Sequence, residues 1–222
     1  MNVSVSSIDE GRASMYGLIA LGLSYPDAEL HEYWNQGGFV RDLGAAVDKA
    51  VPELLEEFQT TIAPNLCMTA DYEEFEAAYL TAFETDLPKR SVSLYEGSYV
   101  RGGGKAELLL ELKDFYNNFG LEVSEELHEL EDRITAELEF MQFLTLKQCQ
   151  IGIDKTPYIR AQRDFLERHL GPWMGPLQEE VRKRKIEPFY IALTDLMAGY
   201  IEMELAYLND ISLCLPKQQS IQ

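Results

Sequence analysis

Cysteine, basic residues and long apolar runs are all in short supply in this sequence, and each shortage excludes something. Its three cysteines, Cys67, Cys149 and Cys214, are odd in number and far apart, which argues against a disulfide framework and fits a reducing compartment. They also lack the close spacing, with each other and with histidine, that zinc sites need. Nineteen Lys and Arg face 38 Asp and Glu, leaving a net charge of −19. Such a field repels nucleic acid and anionic membranes and favours basic partners. No window approaches the roughly eighteen apolar residues that span a bilayer. The apolar run from Met15 to Leu23 follows Asp9 and Glu10 rather than a basic segment, unlike a secretory signal. A soluble, cytoplasmic protein with no membrane span and no nucleic-acid partner is expected. Alternating strand patterns, Asn-Gly hairpins and repeats of fixed period are missing as well, so the fold is expected to be all-α.

What is present is helical spacing. A chain of 222 residues that is 46% hydrophobic can bury one sizeable core. Residues 1–215 read as a single helical domain, a bundle of roughly eight to ten helices around a long central one, and 216–222 as a frayed polar tail. Ser7-x-x-Glu10 is a capping box ahead of a first helix that stops before Pro26. Asp27 to Trp34 gives a short second helix, Gly37-Gly38 a break, and Val40 to Phe58 renewed helical spacing with a kink or new start at Pro52. Pro64 to Ala70 reads as a loop. Asp71, with Glu74 at the capping-box position, opens a helix whose Tyr72, Phe75, Tyr79 and Phe83 form an aromatic ridge. Lys105 to Phe119 is helical, with Gly120 as its C-cap.

The central element is expected at Ser124 to Gln150. Ser124 caps it, Leu127, Leu130, Ile134, Leu138 and Met141 form one apolar stripe, and a helix of that span is about 40 Å long. Thr156-Pro157 starts the next helix and Gly171-Pro172 closes it. Helices from Trp173 to Lys185 and from Pro188 to Asn209 complete the fold.

Candidate chemistry thins out on inspection. Glu125-x-x-His128 has the spacing of half a di-iron motif, but such bundles need two copies and two further inward glutamates, and neither His31 nor His169 has a glutamate three residues earlier. Gly102 to Lys105 invites a phosphate-loop reading. That motif wants glycine where Tyr99 stands and Ser or Thr where Ala106 stands, and no strand precedes it, so a hinge is the better reading. No nucleophile elbow or papain-like cysteine context occurs. No catalytic residue, metal ligand or cofactor is assigned. The unusual feature is the interleaving of aromatics and acids over Asp71 to Asp86, Leu94 to Tyr99 and Glu122 to Phe143. A helix with one core side and flanks dense in carboxylate suits a groove for a basic or amphipathic peptide.

Five stretches occur in a telling order: Tyr79-x-x-x-Phe83, Leu94-Tyr95-Glu96-Gly97-Ser98-Tyr99, Glu131-Asp132-Arg133-Ile134-x-x-Glu137-Leu138-Glu139-Phe140-Met141, Phe165-x-x-x-His169-Leu170-Gly171-Pro172-Trp173, and Phe189-Tyr190. At these the chain resembles the redox-enzyme maturation chaperones of the TorD/DmsD/NarJ family, over most of its length. The central stretch is similar to the family's Pro-x-Asp-His pattern. Asp132 is kept, while Leu130 and Arg133 stand where the proline and histidine would be. Glu-Leu-Glu-Phe-Met looks closest to the branch serving type II enzymes of the dimethyl sulfoxide reductase family.

The resemblance implies a TorD-like bundle and a cytoplasmic chaperone, not an enzyme. Its partner would be the precursor of a molybdopterin-containing catalytic subunit, held open for cofactor insertion while twin-arginine export is delayed. Beside that implication, the residues suggest a mechanism. Asp132 and Glu139, with Glu96 as a further acceptor, would attract an Arg-rich segment such as a twin-arginine leader, while Tyr79, Phe83, Tyr95 and Tyr99 take its apolar part. Arg133 joins this partner-binding set. On one helix Asp132 and Glu139 stand two turns apart and share a face. The competing readings are an acidic all-helical adaptor or regulator using the same surface, and a nucleotide-hydrolysing enzyme resting on Gly102 to Lys105 alone. A monomer, or a dimer exchanging domains about the glycine run, fits either chaperone or adaptor.

Overall fold

The computed structural model describes residues 7–67, 70–85, 91–100, 104–123 and 130–216. The first helix, α1 (Ser7–Leu23), buries Met15, Tyr16, Ile19 and Leu23 against α3 (Gly38–Ala50) and α8 (Ile134–Gln148). Its approach to α3 is close enough that a Cβ on Gly11 would lie 2.6 Å from Lys49 Cβ, so only glycine fits there. Between them, α2 (Ala28–Asn35) is capped by Asp27, whose side chain accepts from the Leu30 N–H at 2.8 Å.

Beyond Pro52 the chain stays helical through α4 (Leu55–Glu57), a π turn (Phe58–Ile62) and α5 (Ala63–Leu66). The loop expected from Pro64 therefore begins later. Pro64 sits in the first turn of α5, where a missing N–H is tolerated. Asp71 caps α6 (Tyr72–Tyr79) by accepting from the Glu74 N–H at 2.9 Å, and a second π turn (Leu80–Glu84) extends it. Gly120, at φ 72°, follows the end of α7 (Lys105–Asn118) as expected of a C-cap glycine.

The central helix is not the one the spacing predicts. Ser124 to Glu129, including Leu127 and His128, lie outside the described residues, as do Gly102, Gly103 and 217–222. Leu130 to Arg133 is not helical, and α8 has 15 residues, about 22 Å, instead of about 40 Å. The cause is a non-local pairing. The Glu96 N–H donates to Asp132 O at 2.8 Å and the Ile134 N–H to Leu94 O at 2.9 Å, giving an isolated antiparallel bridge between Tyr95 and Arg133. Those groups are then unavailable to helix. Leu130 is exposed, whereas Ile134, Leu138 and Met141 are fully buried. With Thr135, Glu137, Phe140, Thr145 and Gln148 also buried, α8 is central by burial rather than by length.

A second departure lies at Gly171-Pro172. Instead of a stop, α9 (Thr156–Phe165) passes through a third π turn (Leu166–Leu170) into α10 (Gly171–Arg184) without a break. The Gly171 N–H bonds to Leu166 O, and a Cβ on Gly171 would sit 2.5 Å from that oxygen. The widened turn places Pro172 at the start of α10, where proline is accepted. Both α9 and α10 pack on α11 (Pro188–Ser212), at 25 residues the longest described helix. Trp34, Phe75 and Phe189 join α2, α6 and α11 with mutual centroid distances of 5.3–5.5 Å. Among the described residues there is no strand beyond the one bridge, and no helix is long and apolar enough to cross a membrane.

Candidate functional site

The segment 91–100 lies against the start of α8 and folds the acid-rich stretches together. Glu96–Ser98 is a tight 3-10 turn, and the Gly97 N–H donates to Asp132 Oδ2 at 3.1 Å. A Cβ on Gly97 would come within 2.9 Å of that same oxygen, so the turn closes this tightly only on glycine. Asp132 is thus wholly buried and spent on holding the turn.

Glu96 is equally buried and points inward, its Oε2 lying 3.2 Å from Nδ1 of His169 on the third π turn. The other imidazole nitrogen, Nε2, lies 3.3 Å from Glu111 Oε1 of α7 but is poorly aligned for a hydrogen bond. Glu137, in the first turn of α8, accepts a 3.2 Å hydrogen bond from Trp173 Nε1. The Trp173 ring in turn stacks on Tyr99 at 5.5 Å and 21°, and the Tyr99 hydroxyl donates to Ser93 O at 2.7 Å. Sequence-distant pieces therefore converge on one buried acidic cluster.

Its electrostatics follow from carboxyls gathered in the interior. Burial pushes the Glu137 carboxyl well above the usual range, the charge of Glu96 adds to this, and the Trp173 N–H opposes it. Burial and the nearby Glu96 charge thus favour the protonated form of Glu137. One oxygen each of Glu96, Asp132 and Glu137 finds no hydrogen-bond donor among the described residues, a state a neutral acid tolerates far better than an ion. The Tyr116 hydroxyl, which donates to Glu131 O at 2.9 Å, is also pushed up, by burial first and then by Glu137 and Glu96. Among the described residues no group of three or more His, Cys, Asp and Glu side chains is placed to hold a metal ion.

The residues expected to bind a partner are mostly interior. Tyr79 and Phe83 sit in the aromatic core, with Phe83 4.9 Å from Tyr190 and 5.2 Å from Tyr79. In this conformation neither has a face for a peptide. Arg133 is buried too, its Nη2 donating to the Tyr79 hydroxyl at 3.1 Å and its guanidinium lying 6.0 Å from the Tyr95 ring. Tyr95 and Tyr99 are half-buried, and Glu139 is exposed. The shared helical face of Asp132 and Glu139 does not exist, because Asp132 precedes the helix. Glu137, His169 and Trp173 went unselected in the sequence. The available signal was position: Glu137 falls on the stripe of Ile134, Leu138 and Met141, and His169 and Trp173 are one helical turn apart.

Comparison with known proteins sets the class: the relatives are assembly chaperones of redox enzymes. The model described as nitrate reductase delta subunit matches residues 42–179, and the chain belongs to that family, the TorD/DmsD/NarJ chaperones. It is 44% identical over 206 residues to the perchlorate reductase assembly chaperone protein of Dechloromonas aromatica (strain RCB), covering 90% of this chain and 92% of that one. The selenate reductase assembly chaperone protein of Thauera selenatis is 42% identical over 168 residues, 74% of each. A solved putative redox enzyme maturation protein from Archaeoglobus fulgidus aligns over 89% of this chain and 93% of its own at 20% identity and a TM-score of 0.41, too distant to carry an argument.

Proposed function

We propose that this protein is a cytoplasmic, system-specific chaperone for the catalytic subunit of a molybdenum enzyme of the dimethyl sulfoxide reductase family. The observation that carries the reading is the 44% identity to a perchlorate reductase assembly chaperone across 90% of this chain. Relatives named for selenate reductase, chlorate reductase and dimethyl sulfide dehydrogenase support the same branch. Acting through one helical domain, residues 1–215, it binds the immature subunit, keeps it open for molybdopterin insertion and delays its twin-arginine export. It performs no catalysis and has no cofactor of its own.

In this reading the half-buried Tyr95 and Tyr99 and, on α8, the exposed Glu139 are the members that a basic or amphipathic segment touches, while the buried Tyr79, Phe83, Glu96, Asp132 and Arg133 act as support. The test is affinity capture of the tagged protein from cells making the molybdenum enzyme, with a deletion strain in parallel. The cofactor-free catalytic subunit should be recovered, and molybdopterin content of the enzyme should fall in the deletion strain. Full cofactor loading without this protein would overturn the reading and favour the acidic adaptor.

A further inference from the structure

The buried acid cluster is held firmly on one side and lightly on the other. On the firm side, Glu137 stands in the first turn of α8 between the fully buried Ile134 and Leu138, and the His169 ring packs on Phe115 at 5.3 Å and on Phe165 at 5.2 Å. The π turn that carries His169 also gives Leu166 and Glu167, together with Met174 of α10, to the wall of an apolar groove of about 860 Å³ that runs between the α4–α5 stretch and α10, along α11. On the light side, Val92 and Leu94 are buried anchors, but Gly97, Ser98 and Val100 are exposed and Tyr95 and Tyr99 only half-buried. Polar contacts tie this tip down: the Glu96 and Gly97 N–H groups donate to Asp132, and Glu96 Oε2 meets His169. Glu96 therefore belongs to both sides. Its backbone closes the turn, while its carboxyl is wholly buried and close enough for its charge to act on Glu137.

The other groups that face Glu137 are Asp132 from the stretch before α8, Tyr116 from α7 and Trp173 from α10. Beyond the imidazole stands Glu111 of α7, paired with Arg168. With a proton on Glu137, the interior holds one carboxylate charge fewer. Without it, Glu137 and Glu96 repel each other there, and each has an oxygen with no hydrogen-bond donor among the described residues. The repulsion is relieved where the structure is held least, at the tip of the turn. We propose that the proton of Glu137 is a latch: its loss to solvent lets residues 95–100 swing out from α8 and brings the carboxylates of Glu96 and Asp132 to the surface. In the swung-out turn Glu137 reaches water and leaves the Glu96 charge behind, so its pKa returns towards the ordinary 4.5. The closed form therefore binds the proton more tightly, and closure weakens as pH rises above that value. The latch is a property of this chain alone; that the bared acids then meet a basic segment rests on the chaperone reading.

The test is amide hydrogen exchange of the full chain followed by NMR, each rate being divided by the intrinsic rate at the same pH. Protection of the Glu96 and Gly97 amides should fall by up to about tenfold for each pH unit above about 4.5, the limit for one linked proton. Both should be insensitive to low urea, which speeds the amides of Leu144 and Tyr200 through global unfolding. In Glu137→Gln the protection of the two turn amides should stay within about twofold across the same pH range. A second readout needs no variant: the infrared band of a buried protonated carboxyl should fade in the wild type over the interval in which the turn loses protection. A slope unchanged in Glu137→Gln would overturn the latch, and its disappearance in His169→Gln would then assign the proton to the imidazole. Turn amides that exchange no faster than those of Leu144 and Tyr200 would also overturn it, because the proton would then govern the whole fold. So would an infrared band that persists while the turn opens. None of these results bears on the chaperone reading, since no client enters the experiment.

Discussion

Two buried polar networks in this molecule meet the same difficulty in opposite ways. Around Arg12 the charges are paired. Its Nε lies 2.8 and 3.0 Å from the two carboxylate oxygens of Glu204, Nη1 lies 2.9 Å from Asp9 Oδ1, and Nη2 donates to Gln162 at 2.6 Å. Gln148 and Tyr16 close the network, so α1, α8, α9 and α11 are tied at one point. Burial by itself would lower the Arg12 pKa, but the charge and hydrogen bonds of Glu204 outweigh it and raise the value. Around Glu137 the acids are met by a Trp N–H, the His169 ring and a backbone N–H. The first network sets opposite charges against each other within hydrogen-bond distance. In the second, burial favours the protonated form of Glu137.

The strongest way to break that contrast is Arg12→Met. It strands Glu204 and Asp9 in the interior, and removing one member of a buried ion pair costs about 3–5 kcal/mol, read by urea unfolding. A loss below about 1 kcal/mol would show the network to be dispensable. Trp173→Phe is next. It removes the indole N–H that donates to the buried Glu137 oxygen, so stability should fall by about 1–2 kcal/mol, read by urea unfolding.

Glu137→Gln should be the mildest, within about 1 kcal/mol of wild type, since it swaps one neutral group for another. Its pH dependence gives the sharper readout. Because the folded pKa of Glu137 is raised, its favourable contribution is complete below the unfolded value of about 4.5 and is lost as pH rises through the folded value. The Gln variant has no proton to lose, so its stability relative to wild type should improve as pH rises above the unfolded value of about 4.5. A difference that stays constant with pH would mean that Glu137 is ionised throughout.

What could be read in the sequence was what local chemistry decides. Asp27 and Asp71 cap helices, Gly120 ends one and Pro188 opens another because those roles depend on a few neighbouring atoms. The start of α8 was not legible, because helical spacing runs unbroken through Leu130 and Ile134 and only pairing with Leu94 to Glu96 interrupts it. The sequence reading grouped Glu96 with Asp132 as acceptors for a basic segment, and the fold brings the two together through the Glu96 N–H to Asp132 O bond. Their burial was invisible, since an acid in sequence reads as an exposed one. The groove was beyond reach altogether: its walls come from 57–62, 166–182 and 188–205, and nothing local marks them as one surface.

The π turn at Leu166–Leu170 touches both regions, holding His169 to Glu96 on one side and giving Leu166 and Glu167 to the groove on the other. Such a turn is a residue that the helix took in without unwinding. Delete one position there and uniform winding returns, but every later side chain is carried round the axis by about 100°. Trp173 would leave Glu137 and Met174 would leave the groove in a single event. Substitutions in this stretch can be absorbed one contact at a time, whereas a change in its length cannot. Here the chain keeps its meaning in how many residues it spends, as well as in which ones.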